Sequence, residues 1–108
     1  MLDISDGKVV RIIALAREYG SDSPQLRGYI AGLNEDEQVS VVVCAWIGRE
    51  SFSVDELDEA IATAQQERSA PTEDYLAGMP ELASFLEDGL DALGISVAYA
   101  EDHLRDRG

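Results

Sequence analysis

Four side chains in this sequence are of the types that recognise other molecules: Trp46, Arg49, Tyr75 and Met79. Aromatic, arginine and methionine residues are enriched at protein interfaces because each joins a large contact area to a polar or polarisable group. Trp46 and Arg49 flank Ile47-Gly48, while Tyr75 and Met79 flank Leu76-Ala77-Gly78 ahead of Pro80. Both pairs therefore stand where a helix is expected to stop. Arg49 admits two readings. Its guanidinium can face the carbonyl end of a helix or pair with an acid such as Asp74 or Glu87, tying two elements together. Alternatively it is presented to an anionic ligand or a partner's carboxylate. Trp46 and Tyr75 likewise read either as core residues or as walls of a groove.

Catalytic chemistry has less to rest on. Cys44 is the single cysteine, cannot form an internal disulfide and stands inside the apolar run Val41 to Ile47, where it reads as a small buried hydrophobe. Its pairing with the single histidine, His103, is assembled only by elimination, and His103 reads most simply as a surface residue. No Gly-x-Ser-x-Gly elbow, P-loop or Gly-x-Gly-x-x-Gly run occurs. A helical di-iron site needs two Glu-x-x-His motifs, which one histidine cannot supply. Glu87, Asp88 and Asp91 offer oxygens to calcium or magnesium, but without an EF-hand loop a solvated helix face accounts for them better. No catalytic residue, metal or cofactor is expected, and these residues argue against an enzyme.

Charge narrows the partners. Twenty-two acids against eight bases give a formal charge of −14. Such a surface repels phosphate backbones and anionic lipid, which disfavours direct nucleic-acid binding. A basic protein partner, mimicry of nucleic acid, or solubility alone fits the sign. The longest apolar run is seven residues, far short of the roughly 20 that span a bilayer. The N-terminus has neither the basic start nor the apolar stretch of a signal peptide, so no membrane association and a cytoplasmic location are expected.

The elements that must position these residues read as helices. In a chain of 108 residues, 45% apolar and 28% charged, one core is expected, forming a single domain over residues 1–108. Val9, Ile12, Ile13, Ala16 and Tyr19 keep helical spacing up to Gly20, and Ser23-Pro24 opens a short second helix with Leu26, Tyr29, Ile30 and Leu33 on one stripe. Asn34 with Glu37 forms a capping box for a third helix. Its β-branched run Val39 to Val43 favours a strand by propensity, but Val39, Val42, Val43, Trp46 and Ile47 share one helical face, so a largely buried helix running to about Gly48 is expected. Ser53 and Glu56, with Phe52 and Leu57 as the hydrophobic staple, open a fourth helix whose stripe is Leu57, Ala60, Ile61 and Ala64. Its outer face carries Asp55, Asp58, Glu59 and Glu67. A fifth region starts near Thr72, breaks around Gly78-Met79-Pro80 and resumes through Leu82, Phe85, Leu86, Leu90 and Leu93 to Gly94. Ser96 is placed to cap a last stretch with Val97, Ala100 and Leu104, its end frayed over about residues 102–108. The fold class is all-α, a compact bundle of about five to six short helices.

Leu33-Asn34-Glu35-Asp36-Glu37-Gln38, Trp46-Ile47-Gly48-Arg49, Tyr75-Leu76-Ala77-Gly78-Met79-Pro80 and Phe85-Leu86-Glu87-Asp88-Gly89-Leu90 together resemble a family of small bacterial proteins known only as a domain of unknown function. Met1-Leu2-Asp3-Ile4 and Ala16-Arg17-Glu18 are similar too. The resemblance covers most of the chain to about Gly94 and implies an all-helical fold; it carries no activity. The chain departs from the family pattern in its short connection between the first two helices and in Glu50-Ser51, which stands where the family has Gly-Asp.

Three functions of different classes follow from these residues. The first is a non-enzymatic module that binds a protein partner or a second copy through a groove near Trp46, Arg49, Tyr75 and Met79. The second is an acidic face at Asp55, Asp58 and Glu59 that mimics nucleic acid or docks on a basic protein. The third is a small-ligand protein or enzyme whose pocket is assembled from residues distant in sequence.

Overall fold

Side chains of the local sequence open the first three helices. A computed structural model describes residues 2–67 and 71–94. In it, Ser5 accepts the Lys8 N–H at 3.2 Å and opens α1 (Asp6–Tyr19). Ser23 accepts the Leu26 N–H at 3.2 Å, with Pro24 at the first position of α2 (Pro24–Ala31). Asn34 accepts the Glu37 N–H at 2.8 Å while the Glu37 carboxylate accepts the Asn34 N–H at 3.1 Å, a closed capping box before α3 (Glu35–Gly48). Glu56 reaches back to the Ser53 N–H at 2.9 Å, and here the chain makes a 3-10 turn at Val54–Glu56 before α4 (Leu57–Gln66). The turn at 78–81 separates α5 (Thr72–Ala77) from α6 (Leu82–Ala92), at the break expected around Pro80.

The described residues form six α-helices and no strand, a compact all-α bundle as the spacing predicts. One hydrophobic cluster runs through all six helices, from Val9 and Ile12 of α1 to Leu86 and Leu90 of α6. The expected last stretch at Ser96, His103 and the end at 102–108 lie outside the described residues.

At α3 the competition between strand propensity and helical spacing is decided by burial. Residues 39–47 are all buried, and Val41, Val43, Cys44 and Ala45 are wholly so. Burying a valine or leucine contributes about 1.5–3 kcal/mol, whereas a valine costs a helix only about half a kcal/mol against alanine. The largely buried helix that the spacing predicts is what forms, because α6, α4 and α5 all pack on α3. In α1 the buried set is Val9, Val10, Ile12, Ile13 and Ala16, because α6 and α2 meet it from two sides. Tyr19, expected in the stripe, is 47% exposed at the helix's last residue, on the edge of that arc.

The closest packing joins α3 to α6. A methyl added to Gly89 would stand 2.2 Å from the Cys44 carbonyl oxygen and 2.9 Å from its sulfur; one added to Gly48 would stand 1.7 Å from the Phe85 carbonyl oxygen. Two glycines, one on each helix, thus let the backbones touch. Three ion pairs tie elements at the surface: Lys8 with Glu37 (α1 to α3), Arg17 with Glu87 (α1 to α6) and Arg27 with Asp74 (α2 to α5). Exposed pairs of this kind add little to stability, because water and salt screen them. Inside, the buried Ser40 hydroxyl donates to the Asp36 carbonyl and accepts the Asp3 N–H at 2.8 Å, anchoring the N-terminal segment to α3.

Replacing Gly89 by alanine is expected to destabilise the protein by about 3 kcal/mol in urea unfolding, the upper end of overpacking costs, because the obstacle is backbone. Gly48→Ala is expected to do the same. Gly28→Ala is the control: its new methyl meets nothing within 4 Å, so a gain of about 0.5–1 kcal/mol is expected.

Candidate functional site

The close approach of α6 fixes the C-terminal end of α3, and the chain leaves that end through a tight reversal. The Glu50 N–H donates to the Ile47 carbonyl at 3.1 Å and the Ser51 N–H to the Trp46 carbonyl at 2.9 Å, the paired bonds of a Schellman turn. That turn needs a left-handed residue after the cap, a place usually held by glycine. Glu50 fills it at φ +67°. The cost of this conformation to a side-chain-bearing residue is about 1–2 kcal/mol.

Around the turn an aromatic chain crosses the molecule. The Trp46 indole N–H donates to the Tyr75 hydroxyl at 2.9 Å, joining α3 to α5, and the Trp46 ring stacks on Phe52 with centroids 5.5 Å apart. Trp46 is buried, whereas Tyr75 is 40% exposed. Two of the four residues singled out in the sequence are therefore in direct contact. Arg49 stands exposed at the helix end, its Nε donating to the Ser51 hydroxyl at 3.0 Å. The expected pairing of Arg49 with Glu87 or Asp74 is not made: Arg17 holds Glu87 and Arg27 holds Asp74. Helical spacing cannot say which of several arginines reaches a given acid across the bundle. Met79 lies in the link between α5 and α6 and is buried in the core.

On the other side of the turn lies an open groove of about 590 Å³. Its apolar lining comes from Ile47, Phe52, Val54 and Ala92, and Val54 is 41% exposed. Its carboxylates are Glu50, Glu56, Asp88 and Asp91. None of the four has an ion-pair partner among the described residues, in contrast to Glu37, Asp74 and Glu87. Trp46, Arg49, Tyr75 and Met79 are not among its lining residues; Phe52, stacked on Trp46, connects the two sides. The groove is missed by a sequence reading because its acids come from the turn after α3, the 3-10 turn and α6. The one available signal was Asp88 and Asp91, three apart on α6, which share a helix face.

Cys44 sits between α3 and α6, its thiol donating to the Leu86 carbonyl at 3.6 Å. Burial pushes its pKa up to about 12, leaving roughly one molecule in 10⁵ as the nucleophilic thiolate at neutral pH. Its role is packing. Among the described residues no three histidine, cysteine or acidic groups stand close enough together to hold a metal ion. No described helix is long and apolar enough to cross a membrane.

The family model described as a protein of unknown function (DUF3775) matches residues 23–95. The chain belongs to this family. Comparison with curated proteins and with solved structures gives no match. The DUF3775 segment starts at Ser23, the cap of α2, and contains the aromatic chain, the Schellman turn and every residue of the groove. The Trp-Ile-Gly-Arg and Tyr-Leu-Ala-Gly-Met-Pro motifs lie inside it, while α1 precedes it and still contributes five buried residues to the core.

Glu50→Gly is expected to stabilise the protein by about 1 kcal/mol, since glycine adopts the left-handed turn without a Cβ penalty. Urea midpoints of the two proteins at equal slope measure it.

Proposed function

We propose that this chain is a non-enzymatic protein-interaction module whose contact surface is built on Tyr75 and Arg49, with Trp46 behind them and Met79 beneath in the core. The observation that supports this most is the Trp46 to Tyr75 hydrogen bond of 2.9 Å, made by an aromatic ring that is 40% exposed. A tyrosine so held gives up little conformational freedom when a partner covers it, and that is the property of an interface anchor. Arg49 adds an exposed cation at the C-cap of α3, three residues after Trp46, with a neutral hydroxyl as its hydrogen-bond partner and no acid paired to it among the described residues. A protein partner that offers an apolar pocket and a carboxylate fits this pair; a location in the cytoplasm accords with the reading.

A second reading, docking on a basic protein, is favoured by the exposed Asp55, Asp58 and Glu59 and by the carboxylates of the groove, which have no ion-pair partner among the described residues.

Tagged wild-type protein is expected to retain a partner from native lysate at physiological salt, with Arg49→Ala and Tyr75→Ala, each checked for folding by circular dichroism, losing it. Tyr75→Phe, which keeps the ring and removes the bond to Trp46, should weaken it. A partner held equally by all three variants would exclude this surface, and one recovered only at low salt would favour the acidic reading.

A further inference from the structure

We propose that the groove between the turn after α3 and the last turns of α6 binds a basic, amphipathic segment of a partner protein, with arginine or lysine side chains alternating with apolar ones. This rests on the second reading above and narrows it from a charged face to one concave site.

Three observations meet in this groove. It is concave, at about 590 Å³ within the range of about 300–1,000 Å³ in which proteins hold ligand groups. It leaves apolar surface open to water: Val54 is 41% exposed, and Phe52, packed against the core, is half-buried. And four carboxylates from three separate elements surround that apolar surface, with no ion-pair partner among the described residues. The described bases that pair with acids, Lys8, Arg17 and Arg27, hold Glu37, Glu87 and Asp74, none of which lines the groove.

The charge sets the occupant. A second copy of this chain would bring another −14 of charge against the same acids, and nucleic acid or anionic lipid would be repelled likewise. A purely charged partner would leave Phe52 and Val54 uncovered. A basic amphipathic segment satisfies both components, its apolar side chains covering Phe52 and Val54 and its cationic groups reaching Glu50, Glu56, Asp88 and Asp91. Arginine suits this geometry best, because its stem lies along apolar surface while the guanidinium forks onto a carboxylate. The Tyr75 surface shares no residue with the groove, so the two sites can be tested separately.

The test uses the full chain and a fluorescently labelled synthetic peptide of alternating leucine and arginine, followed by anisotropy at low and physiological salt. Binding is expected at both, weakened at least about tenfold by the pair Glu50→Gln and Asp88→Asn, and by Val54→Ser, but unchanged by Tyr75→Ala. Asp55→Asn with Asp58→Asn reports on the exposed face. If those changes abolish binding and the groove changes do not, the groove inference fails and docking on a basic protein stands. If a glycine-arginine peptide of equal charge binds as tightly, charge alone is responsible and the inference fails. Spermine competing as well as the peptide would make it a site for small cations and also overturn it, and absence of any peptide binding would remove both readings.

Discussion

Backbone contact between α3 and α6 is the constraint on which the other features of this protein depend. Gly48 and Gly89 have no side chain at the points where a methyl would overlap the partner helix, and Cys44 fills the space beside Gly89 with a sulfur that reaches the Leu86 carbonyl. Because α3 is then buried on almost every side, a run of valines that favours a strand is held as a helix by the area it removes from water. The remaining helices are arranged around this pair: α1 lies on α6, α4 and α5 lie on α3, and α2 closes against α1 and α5.

The same contact determines where the candidate surfaces fall. Gly48 lies against Phe85, and directly after it the chain reverses through Arg49 and Glu50. The reversal swings Phe52 back onto Trp46, leaves Arg49 outside and opens the space between the turn and α6 that becomes the acidic groove. Glu50 in a left-handed conformation is a consequence of that geometry.

Much of the bundle was legible in the sequence because helix starts are local. The Asn34–Glu37 box, Ser23-Pro24 and the Ser53–Glu56 signal each involve residues within three positions, and each is present. The break at Pro80 is equally local, since proline lacks the N–H that a continuing helix requires. The pairing of helices was not legible. Periodicity shows that a residue points inward without showing what it meets, so nothing local joins Gly48 to Phe85 or Gly89 to Cys44, and Arg49 was matched to acids that Arg17 and Arg27 hold. Glu87, Asp88 and Asp91 read as one acidic cluster, but Glu87 turns to α1 while its two neighbours face the groove. Trp46 and Tyr75, 29 residues apart, were grouped by residue type alone, and the structure joins them by a hydrogen bond.

Native-state hydrogen exchange tests the central claim most directly. If the α3–α6 contact is the nucleus of stability, amides of residues 41–47 and 86–90 will exchange together, with the free energy and denaturant dependence of global unfolding, while those of α4 and α5 open at lower cost. Exchange of the α6 amides in a separate, lower-energy step while α3 stays protected would contradict it.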